Sequence, residues 1–166
     1  ARGVDLNRNM PSSLWHTTAQ QRWVEVARSN PRYYPGDHPA SEPETVFLVE
    51  LVQDFKPHVI VSVHSPLALV DHDGPGTPAR TLAGLPLRRL GNFPGTLGNY
   101  AGVQQEIPVV TLELPSSARL PAGGEISSLW RHLVRWLINS VPVQTGPEKT
   151  WVAGDDRELK KKHFGK

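Results

Sequence analysis

Apolar positions along this chain fall into a few separated patterns. Phe47, Leu48, Leu51, Val52 and Phe55 recur at helical spacing and form one face. Ser41 ahead of them, with Glu44 three residues on, reads as a capping box, in which each side chain satisfies a free N–H of the first turn. Pro43 is tolerated there because its missing N–H would have no helical partner. A helix is therefore expected over residues 41–55, ended by Lys56-Pro57. His58-Val59-Ile60-Val61-Ser62-Val63 follows as a β-branched run, the pattern of a buried strand, with His64-Ser65-Pro66 at its carboxyl end. Ile107-Pro108-Val109-Val110-Thr111-Leu112 is a second such run, closed by Glu113. The last periodic stretch predicts a helix over 125–139, packed through Ile126, Leu129, Trp130, Leu133, Val134 and Leu137.

The segments between are less marked. Residues 1–10 read as a strand end entering a loop, and residues 11–40 as mostly irregular with a short helix near 18–28. Asp71-His72-Asp73-Gly74-Pro75-Gly76 reads as a loop, and Pro78 to Leu90 as a helix weakened by Gly84 and Pro86. Phe93 through Gly102 reads as a glycine-rich loop. Residues 142–166 are polar and basic and are expected to form a poorly ordered tail beyond a domain at 1–141. Helix, strand, loop, helix, strand, helix is the order of an α/β domain whose sheet is covered on both faces.

Composition narrows the functional classes. A chain of 166 residues suits one domain. The net charge is +2, and Lys160-Lys161-Lys162 with Lys166 supply much of the excess, so no basic stripe on a folded face points to a nucleic acid. The absence of cysteine removes disulfides, thiolate metal sites and thiol nucleophiles. No apolar run approaches a membrane span, so no membrane partner is expected. Ala1-Arg2-Gly3-Val4-Asp5 has neither an initiator Met nor the apolar core of a signal peptide, and the chain is expected to be cut from a longer one.

In open α/β sheets ligands bind outside the carboxyl ends of the strands. His64 and Glu113 each end an otherwise apolar strand, which aims them at that rim. Taken singly, each has a plain reading, a histidine bonded to backbone and a salt-bridged strand end. Two such residues on strand ends of one sheet are more informative than either. Asn7-Arg8-Asn9 is a third polar cluster, and a guanidinium fork beside a carboxamide suits a carboxylate ligand, although an ordinary loop arginine reads the same way.

Gly3-Val4-Asp5-Leu6-Asn7-Arg8-Asn9 resembles the GVDLNRN signature of zinc carboxypeptidases, and Ser41-Glu42-Pro43-Glu44-Thr45 resembles their SEPET segment. Ser62-Val63-His64-Ser65 resembles the strand end carrying their third zinc ligand, and Thr111-Leu112-Glu113-Leu114 the strand of their catalytic glutamate. The four motifs keep the family's order over residues 3–115. Phe93-Pro94-Gly95-Thr96-Leu97-Gly98-Asn99-Tyr100 further resembles a loop of the murein peptide amidase branch, which cuts the γ-D-glutamyl–diaminopimelate bond of cell-wall peptides.

The resemblance implies a mixed, mostly parallel sheet with helices on both faces. It implies zinc as cofactor, a peptide or murein-peptide substrate and, from the recycling amidases, a cytoplasmic location. His64 would bind the metal as neutral imidazole, Glu113 would move a proton between the attacking water and the leaving amine, and Asn7 with Arg8 would hold the substrate's carboxylate. Asp5, within the signature, is assigned a structural role. A cis peptide just after the zinc histidine would fall at Ser65-Pro66. The family's other two ligands lie in an HxxE motif that occurs nowhere in this chain, so they and the oxyanion arginine are expected before residue 1 and the chain alone is expected to be inactive. The competing readings are a non-catalytic fragment that binds peptide carboxylates and, resting on Lys160-Lys161-Lys162 alone, a basic-tailed nucleic-acid binder.

Overall fold

The computed structural model describes residues 3–141. Three strands form a mixed sheet: β1 (Ile60–His64), β2 (Leu69–Asp73) and β5 (Val109–Glu113). β5 lies in the middle, parallel to β1 and antiparallel to β2. Its central place explains why Val109, Val110 and Leu112 are almost wholly buried. β1 is half-buried rather than buried, and Val63 is exposed, because β1 is an edge strand among the described residues.

Side chains alternate across a strand, so β5 serves both faces. Val109, with Ile60 of β1, packs toward Leu48, Val49 and Val52 of helix α2 (Pro43–Phe55) and toward Met10 and Tyr100. Val110 and Leu112, with Val70 of β2, pack toward Leu129, Leu133, Trp136 and Leu137 of helix α3 (Gly123–Ser140). The mixed sheet is thus covered by helices on both faces, as expected. The α3 face differs in detail, since Ile126 and Trp130 point to solvent and Trp136 packs instead. Periodicity admits two overlapping apolar stripes here, and the sheet selects the one centred on Leu133.

Other expectations are corrected. α2 starts at Pro43 with Glu42 as N-cap and no side-chain cap bond, so Ser41 and Glu44 form no capping box. The Ser41 hydroxyl is already engaged, accepting from Asn9 Nδ2 at 3.0 Å and donating to Glu42 Oε1 at 2.9 Å. Residues 71–73 are strand rather than loop, because β5 has a second edge to satisfy and draws in even the polar Asp71-His72-Asp73 run. In place of a helix over 78–90 there is a hairpin, β3 (Thr81–Leu82) and β4 (Leu85–Pro86). Ala83 and Gly84 both have positive φ, the requirement of a type I′ turn. The expected glycine-rich loop becomes a π-helical segment over Gly98–Gln104. Gly102 permits close packing there, since a Cβ on it would lie 2.9 Å from that of Asp73.

Residues Leu6–Arg8 form a 3₁₀ turn rather than a strand end, and helix α1 spans Trp15–Glu25, earlier than expected. The Ser65-Pro66 bond is cis, as expected. The tail expected at 142–166 lies outside the described residues. Among those described, no helix is long and apolar enough to cross a membrane.

Candidate active site

The parallel pairing of β1 with β5 sets His64 directly beside Glu113. Aligned residues of neighbouring strands project to the same face, so imidazole and carboxylate emerge side by side at the carboxyl ends of both strands. Leu69 of β2 flanks Glu113 on its other side. His64 Nε2 lies 2.9 Å from Ser62 Oγ, two residues back on the same face, which leaves Nδ1 for other chemistry. Glu113 is only 7% exposed, and its Oε2 is buried with no hydrogen-bond partner among the described residues. Such an orphaned acceptor costs about 1–3 kcal/mol, more when charged, and its persistence calls for a functional explanation.

Asn7 and Arg8 occupy a separate, heavily braced platform. Asp5 caps the 3₁₀ turn, its Oδ1 accepting from Asn7 N at 3.0 Å, while its own N–H donates to Tyr34 O at 2.8 Å. That is the structural role expected of Asp5. The turn is then laced to residues 93–97: Leu97 N donates to Asn7 Oδ1 at 2.8 Å and Met10 N to Gly95 O at 3.0 Å. Trp15 Nε1 donates to Arg8 O at 2.8 Å. Gly95 has φ +98°, and a Cβ there would run into the Arg8 carbonyl, so glycine is required on both counts.

These bonds fix the Arg8 backbone and leave its side chain to reach outward. Its Nη1 donates to Asn7 O at 2.7 Å, and its guanidinium lies 4.7 Å from the Phe93 ring centroid and 5.7 Å from that of Tyr33. Burial lowers the Arg8 pKa from its ordinary value; Asp5 and Tyr33 oppose the shift and Arg22 adds to it. The group remains a cation at any working pH.

Asn9 is the residue whose importance the sequence did not show. It is fully buried, and its Nδ2 reaches Pro35 O at 2.7 Å, His38 O at 2.9 Å and Ser41 Oγ at 3.0 Å. It ties the Asn7-Arg8 turn to the segment leading into α2. Three acceptors on one amide arise from tertiary folding, and no local pattern announces them.

The two pairs of candidates are not bonded to each other. Among the described residues no hydrogen bond or ion pair joins Asn7 or Arg8 to His64 or Glu113. They do share a side of the sheet: Met10 and Leu97, which flank the platform, pack on the Val109 face, the face to which Glu113 also projects. Also among the described residues, no group of three or more His, Asp or Glu is placed to hold a metal ion. A catalytic zinc site takes about three protein ligands, so His64 with the described residues does not by itself make one.

The zinc carboxypeptidase family model matches residues 1–71, which include the Asn7-Arg8 platform, α2, β1 and His64. Murein peptide amidase A of Escherichia coli (strain K12) is 32% identical over 143 residues, covering 82% of this chain and 59% of the relative. The chain is thus similar to zinc carboxypeptidases and, among them, to murein peptide amidases. A second amidase A, from Vibrio campbellii, is 31% identical over 122 residues, covering 69% of the chain and 49% of the relative. The crystal structure of murein-tripeptide amidase MpaA from Escherichia coli O157 superposes with a TM-score of 0.57 at 28% identity, over 82% of this chain and 59% of that one. The chain therefore has the MpaA-like mixed α/β fold, and it spans about three-fifths of the length of its Escherichia coli relatives. By name, the family and these relatives are peptidases and amidases, and zinc belongs to the family's name.

Proposed function

We propose that the chain carries the catalytic carboxylate and the substrate-carboxylate platform of a hydrolase that cuts an amide bond beside a substrate carboxylate. The relatives' names point to a murein peptide, and the resemblance of the Phe93–Tyr100 loop to the murein peptide amidases points to its γ-D-glutamyl–diaminopimelate bond. The observation that carries this reading is the alignment of Glu113 with His64, together with the buried, partnerless Oε2 of Glu113.

Glu113 takes a proton from the attacking water and returns it to the leaving nitrogen, a role that needs a carboxylate held at the rim with one oxygen uncommitted. Arg8 binds the carboxylate of the leaving residue through charge-assisted hydrogen bonds and so sets the position of the scissile bond. Asn7 holds the loop at Leu97 against this platform. His64 is read as one metal ligand through Nδ1, and the remaining ligands would come from outside the described residues.

A second reading, a module that binds peptide carboxylates without cleaving them, draws support from the lack of a three-donor cluster among the described residues. Both are tested by following release of the diaminopimelate-containing product from a γ-D-glutamyl–diaminopimelyl peptide. Glu113→Gln is expected to lower kcat by about 10²–10⁴-fold with KM little changed. Arg8→Ala is expected to act mainly on KM. Peptide binding without turnover in the parent protein would favour the non-catalytic module.

A further inference from the structure

Beside the platform lies a cavity of about 330 Å³, walled by Trp23, Val26 and Tyr33 and carrying two cations, Arg8 and Arg22. Both guanidiniums lie over one ring: Arg8 is 4.7 Å and Arg22 is 4.1 Å from the centroid of Phe93. Their separation therefore cannot exceed the sum of those two distances. Among the described residues neither arginine forms an ion pair. Two like charges so close repel one another, and the shared ring relieves only part of that.

The walls are apolar and firmly set. Trp23 Nε1 donates to Asn30 O at 2.8 Å and its ring meets Tyr34 edge-on at 5.0 Å. Arg22 stands near the end of α1, where its carbonyl accepts from Val26 N at 2.9 Å and Ala27 N at 3.0 Å. Two cations over one aromatic ring, beside an apolar wall, match a short methylene chain with an anion at each end.

We propose that Arg22 is a second anion-binding residue of this site, and that the cavity takes a residue bearing two carboxylates, one on Arg8 and one on Arg22. The assignment rests on reading Arg8 as the substrate-carboxylate residue. It makes Arg22 the determinant that separates a diacid leaving residue from a monoacid of the same length. The substrate carboxylate held by Arg22 lies remote from the scissile bond, so Arg22 acts on binding and selection.

Calorimetric titration tests this with two probes, N-acyl diaminopimelate and the same compound with its distal carboxylate converted to the amide. The parent protein is expected to bind the diacid about tenfold or more tightly than the amide, the worth of one charge-assisted contact. Arg22→Gln removes that preference while leaving affinity for the amide within about twofold, and Arg22→Lys retains part of it. Equal affinity of the parent for both probes, equal weakening of both by Arg22→Gln, or no binding of either overturns the proposal. Hydrolysis is measured separately. In a protein that supplies the remaining metal ligands, a diacid preference without hydrolysis removes the proposed catalytic function and leaves this site standing, while hydrolysis without a diacid preference does the reverse.

Discussion

Glu113→Met is expected to make the protein more stable while abolishing the proposed hydrolysis in a protein that supplies the remaining metal ligands. The carboxylate is 7% exposed, flanked by His64 and Leu69 across the sheet, and its Oε2 has no partner among the described residues. An unsatisfied buried acceptor costs about 1–3 kcal/mol, and a charged one more. Methionine has a similar volume and adapts to irregular space, so little packing is lost on replacement. The expected gain is therefore about 1–3 kcal/mol in unfolding free energy. For a domain of this size that corresponds to a rise in Tm of about 2–4 °C per kcal/mol. Glu113→Gln, which removes the charge but keeps a polar end, should fall between the parent and the Met variant. Urea unfolding followed by tryptophan fluorescence measures the change, and hydrolysis of a γ-D-glutamyl–diaminopimelyl peptide should fall by about 10²–10⁴-fold in parallel. A Met variant with a lower urea midpoint at unchanged m value would refute the reasoning, because it would mean that Oε2 is satisfied in solution. Increased stability with full activity would refute the catalytic role alone.

Asn9→Ala leaves the carbonyls of Pro35 and His38 without their donor, and should cost about 2–4 kcal/mol in urea unfolding; a loss below about 1 kcal/mol would show that the amide is not the hub of this turn. Gly95→Ala meets both a left-handed backbone, φ +98°, and the Arg8 carbonyl, so it should lose about 2 kcal/mol or more and weaken N-acyl diaminopimelate binding by displacing Arg8; unchanged affinity would count against the platform. Burial, and after it the charge of Arg89, lower the pKa of His72, so the fold favours its neutral form. Stability from this group is present above the ordinary value of 6.5 and is lost as pH falls from there through the depressed folded pKa. His72→Gln should therefore flatten the stability profile between about pH 7 and pH 5, and unfolding curves that shift in parallel for both proteins would exclude His72 as the source.

Much of the scaffold was legible without coordinates. Apolar runs ending in His64 and in Glu113 read as strands, and periodicity located α2 and α3 within a few residues. Errors fell where local signal and tertiary demand diverge. Asp71-His72-Asp73 looked like a loop because it is polar, but β5 had an unpaired edge and β2 supplied it. Gly98 and Gly102 looked like positions of a glycine-rich loop, but they admit the close approach of Asp73 to a π-helical turn. Ser41 had the chemistry of a cap and spends it on Asn9 and Glu42.

By itself the sequence determined which residue types stand at the strand ends, which segments are helical or extended, and the order of the signature segments. Those properties depend on neighbours within a few positions, which periodicity and turn chemistry report. Tertiary structure alone decided that His64 is the register partner of Glu113, that Oε2 of Glu113 is left without a donor, and that Arg8 and Arg22 converge on Phe93. Register and burial depend on segments far apart in the chain, and a one-residue slip of β1 against β5 would turn His64 to the opposite face of the sheet.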